Sequence, residues 1–99
     1  MNLTAWEKKF LKSLIEHGGT AQLSDLYAGS GIPRTKTYEV AYNLEAKGLI
    51  TVEGRKPKTV KLNRERMMQF LEEHRKELEE RIREIDELRE LLTKTEVNR

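Results

Sequence analysis

The stretch "SGIPRTKTYEV" (Ser30–Val40) decides how the chain is read. Gly31 supplies a turn, and Pro33 suits the first position of a helix, where its missing N–H costs nothing. From there Thr37, Val40, Ala41 and Leu44 recur at helical spacing and form an inward side, and Gly48 closes the helix. The opposite side carries Thr35, Glu39 and Tyr42, flanked by Lys36, Tyr38 and Asn43. Two tyrosines on the outward side are unusual for a helix that only meets water. Arg34 and Lys36 stand on the first turn, where the helix dipole is already positive. A cationic helix start of this kind calls for a negative partner.

Upstream, "TAQLSDLYAGSG" (Thr20–Gly31) holds a shorter helix with Leu23, Leu26 and Tyr27 on one face and Gly29 and Gly31 in the following turn. Before it, Thr4 and Glu7 have the spacing of a capping box, in which each side chain satisfies a free backbone N–H of the other's end. Trp6, Phe10, Leu11, Leu14 and Ile15 follow as an apolar face, so the lone tryptophan reads as core. His17 stands at that helix's C-terminus, where it favours the dipole, and Gly18 and Gly19 end the helix. Two helices joined by a short glycine-containing turn form a helix-turn-helix pattern.

Downstream, Ile50 and Val52, then Val60 and Leu62, alternate with polar residues around "EGRKPK" (Glu53–Lys58). That reads as a two-stranded hairpin with a basic tip of Arg55, Lys56 and Lys58, extended by Lys61. Thr20 and Ala21 offer a short third strand. The expected fold is therefore mainly α with a small β-hairpin: a winged helix-turn-helix over residues 1–62, followed by one long helix.

That helix occupies residues 63–95, with Asn63 as its N-cap and a frayed tail over 96–99. Met67, Met68 and Phe70 are expected to tuck its start against the domain. Leu71, Leu78, Ile85 and Leu92 recur every seven residues, and Ile82, Leu88 and Leu91 widen the stripe. His74 and Arg81 stand where a leucine would complete the heptads. Glu72–Lys76, Glu77–Arg81, Glu79–Arg83 and Arg83–Glu87 are spaced for ion pairs along the flanks. A 62-residue domain cannot cover such a helix, so the stripe calls for a second copy. Leu71, His74, Leu78, Ile82, Ile85, Leu88 and Leu92 are the expected homodimer interface, in a parallel or an antiparallel pair or a small bundle.

Composition limits the function. Among 99 residues there is no cysteine, hence no disulfide, thiolate metal site or cysteine nucleophile. His17 and His74 lack ligand-spaced neighbours, and no Gly-rich phosphate loop follows a strand. No cofactor, metal, small-molecule ligand or enzymatic activity is expected. No apolar run approaches the length of a membrane span, and the N-terminus lacks a signal-peptide pattern, so a cytoplasmic location is expected. Residues 1–62 carry ten Lys+Arg against six Asp+Glu, a net +4, whereas residues 63–99 carry nine against eleven, a net −2. The basic excess lies with the helix-turn-helix and the hairpin.

"LTAWEKKFLKSLIEHGG" followed by "SGIPRTKTYEVAYNLEAKGLITVEGRKPKTVKLN" resembles the DNA-binding domain of the TrmB-type archaeal transcriptional regulators. The match at the helix start rests on Pro33, Arg34, Lys36, Tyr38, Glu39 and Val40; Thr37 stands where an apolar residue is usual, and Tyr42 where a basic one is common. The resemblance implies a winged helix whose recognition helix runs from Arg34 to Lys47. Many members carry a sugar-binding domain after a coiled coil; this chain ends at the coiled coil, so no sugar sensing is expected. The partner that fits is double-stranded DNA, with Arg34, Thr35, Lys36, Tyr38, Tyr42 and Asn43 facing the major groove. Glu39 either accepts from a cytosine or pairs with Asn43 or Arg34. Arg55, Lys56, Lys58 and Lys61 face the backbone or minor groove. The expected function is a homodimeric, sequence-specific transcriptional regulator; the alternatives are a protein–protein adaptor and an architectural DNA-binding protein.

Overall fold

A computed structural model describes residues 2–97, with the backbone alone for residues 96 and 97. The order of elements is α1 (Ala5–Glu16), β1 (Thr20–Gln22), α2 (Leu23–Ser30), α3 (Arg34–Ala46), β2 (Ile50–Glu53), β3 (Thr59–Leu62) and α4 (Arg64–Val97). The chain divides into two compact units, residues 1–68 and residues 69–99.

In the first unit α1 starts where the capping box places it. Thr4 Oγ1 accepts from Glu7 N at 3.1 Å, and Glu7 Oε1 accepts from Thr4 N at 2.9 Å. Phe10, Leu11 and Leu14 are buried, but Ile15 is 52% exposed. The reason is angular. The buried stripe is Glu7, Phe10, Leu11, Ser13 and Leu14, and Ile15 falls roughly 110° from its centre at 100° per residue. Trp6 is only half-buried, with the Lys9 ammonium 5.1 Å from its ring centroid. At the other end His17 caps the helix, its Nδ1 2.7 Å from Ser13 O.

Leu23 and Leu26 of α2 and Val40, Ala41 and Leu44 of α3 are buried with α1 in one core, which Ile32, Leu49, Ile50, Val60 and Met67 complete. Gly29 stays within α2; Gly31 alone takes the left-handed conformation between α2 and α3, at φ 75°. Thr37 is fully buried in this core. Its hydroxyl donates to Pro33 O at 3.0 Å, so a threonine occupies an apolar position without leaving a polar group unsatisfied.

The sheet is antiparallel, in the order β1–β3–β2. Val60 of β3 pairs with Ala21 on one side and Val52 on the other. The hairpin turns at Gly54, at φ 80°, where a Cβ would lie 2.8 Å from Pro57 O. The fold is a winged helix: mainly helical, with a small three-stranded sheet and a long C-terminal helix.

Asn63 caps α4, its Oδ1 accepting from Arg66 N at 3.1 Å. Of the two methionines expected to face the domain, Met67 is buried and Met68 is 67% exposed, since neighbours on a helix point about 100° apart. In the second unit Leu71, Leu78, Ile82, Ile85, Leu88, Leu91 and Leu92 are all exposed. Phe70 and His74 stack one turn apart, ring centroids at 6.2 Å. Glu79 takes Arg75 as its partner at 3.0 Å rather than Arg83. The helix runs to Val97, past residue 95; residues 98 and 99 of the expected frayed tail lie outside the described residues.

Candidate nucleic-acid interface

The start of α3 is bare. Its N-cap is Pro33, which makes no side-chain cap, and no acidic residue stands in its first turn. Its first backbone N–H groups and the Arg34 and Lys36 cations therefore share one end of one helix. Arg34 is exposed, its guanidinium 5.8 Å from the Tyr27 ring centroid. The Tyr38 hydroxyl beside it, with Tyr27, raises its pKa and favours the charged form. Tyr27 was not legible as part of this surface; the aromatic residue one turn before Gly31 was the only signal for it.

Lys36 pairs with Glu39 at 3.2 Å, three residues on. Glu39 is thus held by neither Asn43 nor Arg34: Lys36 lies one turn away on its own face, while Arg34 leans on the tyrosines. Thr35 and Asn43 are exposed, Tyr38 is half-buried and Tyr42 is 49% exposed.

The four wing cations separate into two kinds. Arg55 and Lys56 are exposed at the tip. Lys58, by contrast, turns back onto α3. Its ammonium donates to the Tyr42 hydroxyl at 2.7 Å and lies 5.3 Å from the Tyr42 and 5.5 Å from the Tyr38 ring centroids. The Tyr42 hydroxyl raises the Lys58 pKa. Lys61 pairs with Glu53 of the neighbouring strand at 3.1 Å. The outward side of α3 and the base of the wing are therefore joined on one face, with the exposed Arg55 and Lys56 at its rim.

A second tie came from outside the expected site. Glu45 reaches from α3 to accept from Val52 N of β2 at 2.8 Å. A third fixes α3 from below: the Lys47 ammonium lies 2.6 Å from Oε2 of Glu7, a carboxylate that is 2% exposed. Burial alone would push Glu7 up. The hydrogen bonds from Lys47 and from Thr4 N outweigh it and hold its pKa below the ordinary carboxylate value. Among the described residues no His, Cys, Asp and Glu cluster could hold a metal, and no helix is long and apolar enough to cross a membrane.

The model of the sugar-specific transcriptional regulator family TrmB matches residues 1–63. The chain belongs to the TrmB family. Two solved structures share its fold. One, from a study of how 6-hydroxynicotinic acid regulates DNA binding by Bordetella bronchiseptica BpsR, is 27% identical, with a TM-score of 0.59 over 73% of this chain and 57% of that one. The other is TrmBL2, an archaeal chromatin protein with a novel mode of DNA binding; it is 25% identical, with a TM-score of 0.56 over 90% of this chain and 37% of that one. This chain therefore spans little more than half of one relative and about a third of the other. No curated protein matches.

Proposed function

We propose that this TrmB-family chain is a double-stranded DNA-binding transcriptional regulator that acts as a homodimer. α3 enters the major groove, and the wing tip meets the phosphate backbone or minor groove. The Lys58–Tyr42 contact carries the reading, because it sets the outward face of α3 and the basic wing on one side of the unit. The bare cationic start of α3 supplies the end that approaches phosphates and guanine edges. Arg55 and Lys56 supply the wing's charge, and Lys58 acts as the brace between the two. The residues proposed for base contact are Arg34, Thr35, Lys36, Tyr38 and Tyr42, with Glu39 and Asn43 beside them.

An adaptor would need an exposed apolar patch on this face. Among the described residues of the first unit, the exposed large hydrophobics are Ile15, Tyr42 and Met68, of which Tyr42 alone belongs to α3 or the wing. An architectural role is the second reading, favoured by the likeness to a chromatin protein. A mobility-shift assay at two salt concentrations, on selected and on random duplexes, decides among the three. A regulator prefers the selected site and weakens steeply with salt. An architectural protein weakens with salt but shows no preference, and an adaptor binds neither duplex.

A further inference from the structure

We propose that the α4 helices of two copies pair antiparallel, in the register that sets Ile85 against Leu88 and Arg81 against Leu92 of the second copy. This rests on the homodimer of the proposed function and adds its direction.

The exposed apolar residues crowd into one segment of α4. Leu78, Ile82, Ile85, Leu88, Leu91 and Leu92 are each between 42% and 67% exposed. A stripe of this density needs a cover. The charge around it rules out the anionic covers. From residue 69 to 97 there are six Lys+Arg and ten Asp+Glu, a net −4, which repels both an anionic bilayer and nucleic acid. A second copy of the same helix is the occupant we assign, because its stripe has the same length and it can be set in a register that opposes no like charges.

Direction follows from two polar positions. Leu71, Leu78, Ile85 and Leu92 make one set of seam positions; His74, Arg81, Leu88 and Thr95, three residues on, make the other. In a parallel pair every seam residue faces its own copy, so Arg81 meets Arg81 in the middle of the contact and His74 meets His74. An antiparallel pair sets one set against the other, and two of its registers centre near the middle of the exposed Leu78–Leu92 segment. Centred on residue 83, it buries Arg81 against Ile85 twice near the middle and sets Glu84 against Glu84 and Arg75 against Arg89. Centred between residues 86 and 87, it places two Ile85–Leu88 layers in the middle. Arg81 then moves outward onto Leu92, where its long stem covers apolar surface and its guanidinium reaches water. The flanks become Ile82 beside Arg89 and Glu84 beside Leu91, with no like charges opposed. Of the two, only this register keeps the apolar middle free of charge. It puts the two Gln69 residues at opposite ends of the pair, about 52 Å apart at 1.5 Å per residue.

Because the chain has no cysteine, an introduced thiol is unique. Arg81→Cys and Leu92→Cys chains are oxidised alone and as a mixture, with sedimentation of the reduced proteins alongside. In the proposed register the two residue-81 positions lie about 16 Å apart, beyond the roughly 7 Å that a disulfide spans between Cα atoms. Each variant alone should therefore stay uncrosslinked, and the mixture should give a covalent heterodimer. A spin label at Arg75→Cys, an exposed position, gives a readout that needs no disulfide. The two labels should lie about 35 Å apart, against under about 20 Å for a parallel pair. A dimer in which Arg81→Cys crosslinks to itself, or in which the mixture fails to crosslink, overturns the orientation and leaves the DNA-binding reading standing. A monomer by sedimentation overturns the pairing together with the dimer. Neither result touches DNA binding, which the shift assay reads separately.

Discussion

The ammonium of Lys58, at the base of the wing, donates to the hydroxyl of Tyr42 on α3 at 2.7 Å. Tyr38 lies on the same cation, so two outward tyrosines are held by a residue 16 or more positions along the chain. A brace and a phosphate contact make opposite predictions for this lysine. Lys58→Met keeps most of the stem and removes the charge. As a brace, its loss should weaken binding to the preferred site several-fold more than binding to random DNA. Shift assays on both duplexes measure the ratio, and equal losses on the two would return Lys58 to the backbone contacts.

Arg55 and Lys56 should behave differently. Each phosphate neutralised contributes about −0.9 to the slope of log affinity against log salt. Replacing both with Ala should weaken binding to every sequence and flatten that slope by up to about 1.8. A titration at several salt concentrations measures it. An unchanged slope would remove the wing tip from the interface.

Discrimination between bases should sit on α3. Arg34→Ala, Lys36→Ala and Tyr38→Ala should each lose about tenfold or more in preference for the selected site where they make a good base contact. Thr35 and Tyr42 should contribute less. Lys36 starts from a surface pair with Glu39, so Glu39→Gln should free it and raise binding to random DNA. Competition between selected and random duplexes reads all of these.

The buried Glu7–Lys47 pair should govern acid stability. Glu7 titrates below its ordinary value in the folded unit, so its stabilisation is complete above the unfolded pKa near 4.3 and is lost as pH falls through the folded value. Glu7→Gln preserves the capping geometry but removes the charge, and should cost about 1–3 kcal/mol near neutral pH. Its stability should then vary less between about pH 5 and pH 2. Glu7→Ala should cost more, because the cap is lost as well. Denaturant unfolding across that pH range distinguishes the two.

Periodicity made much of this legible. The Thr4–Glu7 box, the inward side of α3 and the alternation around the wing all report which face of one element is buried, and the structure agrees. Thr37 could be placed inward from spacing alone, because its hydroxyl finds Pro33 O within its own helix. What spacing does not encode is partnership between elements. Glu7 and Lys47 stand 40 residues apart, and nothing local marks Glu7 as more than a cap. Lys58 looked like one of several wing cations until the fold brought Tyr42 beneath it. Ile15 and Met68 mark the opposite error, in which an apolar residue beside a buried stripe was counted as part of it.

The hydrogen bond from Val52 N to Glu45 has a meaning for solubility as well as for geometry. β2 lies at an edge of the sheet, and an edge strand with unpaired N–H groups is a template for another strand. Glu45 occupies one of those groups with a carboxylate, which an incoming strand would have to displace before it could pair there. The remaining edge, β1, is only three residues long. The helix proposed to read DNA thus also keeps copies of the domain from stacking strand to strand, and a sequence change at Glu45 made for the sake of DNA binding would reopen a route to aggregation.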